Sequence, residues 1–174
     1  VNVWELIELA NKHPRVNILN PGCGVGGHCI AVDPYFILSD FPNESQMIGK
    51  AREINNYKSL WCAEKVENRK LEYKLKNGLM PKIAIMGLAF KPNIDDLRES
   101  PAVQIAKIIL DNSNQEMCFF VEPNINNHKT FNLTDYNTAI ECSDIIVFLV
   151  AHNEFKSLKI KKEKIVLDFC GIYR

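Results

Sequence analysis

Ile83-Ala84-Ile85-Met86-Gly87-Leu88-Ala89-Phe90-Lys91-Pro92-Asn93-Ile94-Asp95-Asp96-Leu97-Arg98-Glu99-Ser100-Pro101 is the stretch that decides the fold. Its first four residues are apolar without alternation, the pattern of a short strand buried on both faces, and Gly87 ends it. A loop follows, and the apolar spacing after Pro101 predicts a helix to about Leu110. Strand, loop and helix open an α/β unit, and in such units ligands bind beyond the carboxyl ends of the strands. Downstream, residues 117–121, 144–150 and 164–169 read as three more strands and residues 136–142 as a short helix. Alternating strands and helices imply a small parallel sheet.

Upstream the periodicity changes. Asn77-Gly78 and Pro81 break a long stretch in which Met47, Ile48, Ala51, Ile54, Tyr57, Leu60, Trp61, Ala63 and Val66 follow helical spacing. One long helix, or two in line, is expected there. Val3, Leu6, Ile7 and Ala10 predict a helix that ends before Pro14, and a short helix is expected over 34–38. The chain therefore divides into a helical part, residues 1–80, and an α/β part, residues 81–174.

With 21 basic and 21 acidic residues the chain has no net charge, so no overall field favours nucleic acid or an anionic membrane. The basic run 159–164 reads as a solvated face. Six cysteines are scattered without a C-x-x-C, and neither a signal peptide nor a long apolar span is present, which suits a reducing cytoplasm.

Residues 20–36, Asn-Pro-Gly-Cys-Gly-Val-Gly-Gly-His-Cys-Ile-Ala-Val-Asp-Pro-Tyr-Phe, carry the chemistry. Gly22, Gly24, Gly26 and Gly27 let the backbone take positive φ and approach a ligand closely, and Cys29 is followed four residues later by Asp33, the look of a reaction centre. Other readings stand beside it. Gly22, Gly24 and Gly27 satisfy a dinucleotide fingerprint, with residues 16–19 as its strand, but Pro34 leaves too little room for the long helix required. The loop could be a plain turn around a buried structural cysteine. A metal site from Cys23, His28 and Cys29 would need a fourth ligand and better spacing. Asp33 could also be a helix N-cap ahead of Pro34.

The run Gly-Val-Gly-Gly-His-Cys-Ile-Ala-Val-Asp-Pro-Tyr-Phe closely resembles the active-site loop of the UDP-glucose/GDP-mannose dehydrogenase family, in its UDP-N-acetylmannosamine branch. Gly87 to Lys91 and Asp96-Leu97-Arg98-Glu99-Ser100-Pro101 resemble the opening of that family's UDP-binding domain. The resemblance implies NAD-dependent oxidation of a sugar C6 alcohol to a carboxylate in two steps, with Cys29 as the nucleophile that captures the aldehyde. Asp33 would handle protons or the hydrolytic water. It also implies that Arg15 reaches a neighbouring subunit's sugar site and that the backbone of Asn20, Gly22, Gly24, Val25 and Gly26 holds the UDP-sugar. Phe90 and Lys91 would meet the same ligand, and Arg98 would point to NAD. As alternatives, Arg15 and Lys91 are exposed loop residues and Arg98 pairs with Asp95 or Asp96. His28 is read as a loop residue marking the branch.

Two departures from the family pattern stand out. Cys23 occupies a place where proline is usual, and Cys170 one where an arginine tends to follow the last strand, with Arg174 as a candidate substitute. By the resemblance the chain is the carboxyl-terminal portion of such an enzyme: a helical segment forming a homodimer, then a Rossmann-like UDP-binding domain. A preceding NAD domain is expected to be absent, so that the chain alone would oxidise nothing. The competing expectation is a truncated UDP-sugar-binding or dimerisation module without activity.

Overall fold

The structure is a computed structural model that describes residues 2–172. Arg174, the candidate substitute cation, lies outside the described residues. Four strands form the sheet: β1 (Ile83–Met86), β2 (Cys118–Val121), β3 (Ile145–Phe148) and β4 (Ile165–Asp168). They are all parallel, in the order β2-β1-β3-β4. Ile83 stands opposite both Cys118 and Ile145 in the register.

β1 and β3 are apolar throughout because both faces of the sheet are covered. Ile83, Ile85, Phe120 and Val147 face one cluster with Ile105 and Ile109 of α4 (Pro101–Asp111) and with Cys62, Ala63 and Val66 of α3 (Gln46–Asn77). Ala84, Met86, Ile146 and Phe148 face the other, with Ala139 and Ile140 of α5 (Tyr136–Cys142) and with Phe155. Each such large apolar side chain contributes about 1.5–3 kcal/mol when fully buried. Ser100 caps α4: its hydroxyl accepts the Val103 N–H at 3.4 Å and donates to the Leu88 carbonyl at 2.7 Å, tying the helix start to the exit of β1.

The stretch before the sheet is a single helix, α3, of 32 residues, closed by Gly78 in the left-handed region at φ 76°. Its buried residues lie in its middle, from Ser59 to Lys70, and there it shares the first apolar cluster with the sheet across the 80/81 boundary. Lys70 shows how closely: its ammonium, 2% exposed, is held by Glu67 at 2.8 Å, the Asn112 carbonyl at 3.0 Å and Ser113 Oγ at 2.6 Å. A cation from α3 thus satisfies the carboxyl end of α4.

α1 (Val3–Ala10) lies with Trp4 against Gly171, where a Cβ would come within 2.5–2.8 Å of the ring. Residues 16–19, admitted above as a strand, form none; the Asn11 side chain takes up both the N–H of Ile18, at 2.6 Å, and its carbonyl, at 3.3 Å. Without that strand the dinucleotide fingerprint reading falls. α2 spans Asp33–Asp40, and here too the sequence reading is corrected: Val32, not Asp33, is the N-cap. The Cys29 carbonyl already accepts the N–H groups of Val32 and Asp33, at 2.9 and 2.8 Å, so winding begins upstream and Asp33 enters as the first helical residue.

Candidate active site

In this strand order the chain leaves β1 toward β2 on one side and later places β3 on the other, so a crevice is expected beyond the carboxyl ends of β1 and β3. A cleft of about 730 Å³ opens there. It is lined by the turn after β1, including Phe90 and Lys91, by Leu149 to Ala151 after β3, by Cys170 to Ile172 after β4, and by Asn20 to Gly24.

The glycine loop reaches this place by docking on the protein itself. Asn55 of α3 accepts the Val25 N–H at 2.7 Å and donates to the Val25 carbonyl at 3.1 Å, a two-point clamp. A side chain on Gly24 would meet Pro101 at 3.3 Å. At Gly26 a Cβ would overlap the Glu99 carbonyl oxygen and sit 2.7 Å from Pro101 Cδ. The Gly27 N–H donates to the Arg98 carbonyl at 3.1 Å, and its Cα lies against the ring of Phe90, 3.0 Å from where a Cβ would be. At Gly24, Gly26 and Gly27 the close approach is therefore to residues 98–101, to Asn55 and to Phe90; only around Gly22 is there open space.

The expected residues divide into two groups. Asn20, Gly22, Gly24, Phe90 and Lys91 line the cleft, with Cys23 among them. Val25, Gly26, Cys29, Asp33, Arg15 and Arg98 do not. Cys29 is exposed, two residues beyond the Gly27 contact with Phe90. Asp33 is exposed at the start of α2, and Arg15 in the loop after α1. Arg98 is paired with Asp96, its Nε 3.0 Å from both carboxylate oxygens and a terminal nitrogen 2.6 Å from one. The guanidinium pulls the Asp96 carboxyl down to about 2.

The cysteines separate by environment. Cys23 is 5% exposed and donates to the Leu149 carbonyl at 3.5 Å. Its contact with Cys62 and its burial push the thiol well up. Burial and the neighbouring Asp168 do the same to Cys170. Both are thiols of the cleft wall, poor nucleophiles at neutral pH. Cys23 faces the core and Cys29 solvent, and among the described residues no group of three or more His, Cys, Asp or Glu side chains could hold a metal.

Four further residues shape the site, and sequence reading singled out none of them: Asn55, Glu122, His152 and Lys156. Lys156 lines the cleft, with its ammonium 2.8 Å from Asn153 Oδ1. Glu122 and His152 pair behind the cleft, Oε2 to Nε2 at 3.0 Å, neither side chain exposed. A polar residue that ends a strand, as Glu122 does in Val121-Glu122-Pro123, was the only signal available.

Glu122 makes the fold acid-sensitive. Burial acts against its ionisation, but hydrogen bonds from His152, from the Leu88 N–H and from Asn124 outweigh it and hold the carboxyl at about 2, below its ordinary 4.5. A depressed folded-state value stabilises the fold fully above the unfolded value, and that contribution is lost as pH falls through the folded one. The expected result is a loss on the order of 3 kcal/mol between about pH 5 and pH 2. Urea midpoints across that range check it: the parent should fall steeply and Glu122→Gln should be flatter, whereas parallel curves would contradict the assignment.

The comparisons agree with the geometry. Residues 84–174 match the UDP binding domain of the UDP-glucose/GDP-mannose dehydrogenase family, and residues 1–57 match its central domain. The chain is 49% identical to the UDP-N-acetyl-D-mannosamine dehydrogenase of Campylobacter jejuni over 98% of its own length and 41% of the relative's. It is 46% identical to that of Yersinia pestis, covering all of this chain and 44% of the relative. A solved structure of UDP-D-ManNAc dehydrogenase from Pyrococcus horikoshii superposes with a TM-score of 0.78 at 35% identity, over 100% of this chain and 41% of that one. The chain thus spans about two fifths of the length of the relatives it matches.

Proposed function

The chain belongs to the UDP-glucose/GDP-mannose dehydrogenase family, and from that premise we propose that it is the UDP-binding and thiol-bearing portion of an NAD-dependent UDP-N-acetylmannosamine 6-dehydrogenase. One observation carries the reading: Gly27 packs on the Phe90 ring, so the loop bearing exposed Cys29 and the turn bearing Lys91 meet at one place. The two parts of the proposal divide at 80/81, a helical part that presents the thiol and an α/β part that grips UDP.

NAD would accept the two hydrides. Toward it the resemblance points to Arg98, already paired to Asp96, and among the described residues no glycine turn joins a strand to a helix in the way that takes up a dinucleotide. Within this proposal the dinucleotide grip is assigned to a part of the enzyme outside these residues. The chain's own chemistry is sulfur addition. The Cys29 thiolate adds to the C6 aldehyde left by the first oxidation, giving a thiohemiacetal; the second oxidation turns this into a thioester, and water releases the acid and the thiolate. Asp33, its N–H on the Cys29 carbonyl, is the neighbouring carboxylate to orient that water.

A homodimer is proposed through the helical part, where Leu9, Phe36, Met47 and Ile54 are each more than 60% exposed; Arg15 would then serve the partner's sugar. All six cysteines are free, which fits a reducing compartment such as the cytoplasm. No helix among the described residues is long and apolar enough to cross a membrane.

Calorimetry of this chain with UDP tests the grip. Binding is expected, weakened about tenfold or more in Lys91→Ala, since a hydrogen bond to a charged group contributes about 1.5–3 kcal/mol. The full-length gene product should form two NADH per UDP-N-acetylmannosamine. Absence of UDP binding, or a ratio of one, would sink the proposal.

A further inference from the structure

Beyond the carboxyl ends of β1, β2 and β3, the side chains of Glu122 and His152 are fully enclosed, and besides each other they bond to Asn124 and to three N–H groups of the segment carrying Phe90 and Lys91. Glu122 Oε2 accepts the N–H groups of Leu88 and Ala89 at 2.8 and 2.9 Å. Its Oε1 accepts the N–H of Asn124 at 3.1 Å and its Nδ2 at 3.0 Å. His152 Nδ1 accepts the Asn93 N–H at 3.0 Å. That bond assigns the tautomer: Nδ1 is bare, so Nε2 carries the proton and donates it toward Glu122 at 3.0 Å. Asn124 Nδ2, 3.1 Å from the same Nδ1, is a second donor to it.

The segment 88–93 is therefore fastened at both ends to one pair of side chains. Between the fastened ends stand Phe90, Lys91 and Pro92, all of which line the cleft. Asn93 itself sits in the left-handed region, φ 61°, a conformation that a non-glycine residue keeps only when its surroundings impose it. The chain of bonds then continues: Asn93 Oδ1 accepts the Asn153 N–H at 2.9 Å, and Asn153 Oδ1 accepts the Lys156 ammonium at 2.8 Å.

We propose that the buried Glu122–His152 pair is a positioning device for the sugar-nucleotide cleft, setting Phe90 and Lys91 directly and Lys156 through Asn93 and Asn153, with Lys156 a second cation for the diphosphate. The proposal rests on the reading of the cleft as a UDP site. A buried carboxylate and imidazole offer little net stability over an apolar pair of the same volume. What they supply is direction: Glu122 fixes two successive N–H groups, His152 fixes a third four residues on, and the turn between loses its freedom to wander. Lys156 compensates in place for the cation absent at Cys170, since both residues line the same cleft. Neither Glu122 nor His152 touches the ligand.

Two isosteric substitutions separate positioning from mere support of the fold. An asparagine at 152 retains an acceptor where Nδ1 stood and loses the donor to Glu122; a glutamine retains the donor and loses the acceptor for Asn93. Amide hydrogen exchange and UDP calorimetry on this chain are the readouts. In His152→Gln the Asn93 amide should exchange about tenfold faster or more, with the amides of β1 and β3 still protected, and UDP affinity should fall about tenfold. His152→Asn should recover most of that affinity. Equal losses in the two variants, or unchanged affinity in both, would overturn the positioning role. Should either variant fail to fold, Lys156→Gln decides, because the exposed lysine can be replaced without disturbing the core: UDP affinity should fall about three- to tenfold, and an unchanged value would overturn the proposal. If the parent chain binds no UDP, the cleft reading fails, while the exchange of Asn93 still reports on the clamp.

Discussion

Cys29→Ala should abolish acid formation by the full-length gene product, lowering the rate by about 10³-fold or more, while Cys23→Ala should leave it within a few-fold of the parent. The two sulfurs are six residues apart in one loop but in opposite settings. Cys23 is 5% exposed, bonded to the Leu149 carbonyl and pushed toward the thiol by Cys62 and by burial. Its replacement by alanine removes one sulfur from a core cluster, a cost of about 1–2 kcal/mol in stability and none in chemistry. Cys29 is exposed, two residues beyond the Phe90 contact, and in the proposed reaction it is the sulfur that meets the aldehyde. Without its sulfur the aldehyde has no covalent partner, and a hydrated aldehyde is the only route left to a second oxidation. UDP affinity of Cys29→Ala should match the parent's, which separates lost chemistry from lost binding. Acid formation that survives Cys29→Ala and fails in Cys23→Ala would reverse the assignment.

Gly26→Ala should damage both the fold and the cleft by a single methyl. The position is not one of positive φ, so the backbone would accept alanine; the obstacle is space. The new Cβ overlaps the Glu99 carbonyl oxygen and comes 2.7 Å from Pro101 Cδ. Neither neighbour can yield easily. Glu99 is itself held in the left-handed region at φ 48°, and Pro101 opens α4 behind the Ser100 cap. The loop must lift instead, and with it go the Gly27 bond to Arg98 and the contact with Phe90. Overpacking of this kind costs about 1–3 kcal/mol, and UDP binding should weaken by about tenfold or more because the lifted loop is one wall of the cleft. Gly22→Ala is the control, with nothing within 4 Å of its Cβ and an expected change within about 0.5 kcal/mol. Thermal unfolding and calorimetry read both, and a Gly26→Ala chain as stable as the parent would refute the docking argument.

Local chemistry made much of the fold legible. Ile83 to Met86 is the strand that its unbroken apolar run predicts, Ser100-Pro101 starts α4, and Gly78 stops α3. Each of these signals acts within a few residues, through strand pleat, cap or positive φ, so each survives in a bare sequence. The same holds for the family resemblance, which rests on contiguous strings that the comparisons match.

The reading ran out where residues distant in the chain meet. In the sequence the glycines of residues 22–27 read as room for a ligand, and three of them make room for residues 98–101, Asn55 and Phe90 instead. Asn55 clamps Val25 across 30 residues, Lys70 reaches the end of α4 across 42, and Glu122 meets His152 across 30. Sequence alone determined the elements, their order and the cysteine-bearing loop, because those follow from the hydrophobic period and from turn residues next to one another. Only the tertiary structure decided which cysteine is open to solvent, which lysines share the cleft and what holds the Phe90–Lys91 turn, because the exposure of a sulfur or the partner of a carboxylate is set by what packs over it from elsewhere in the chain.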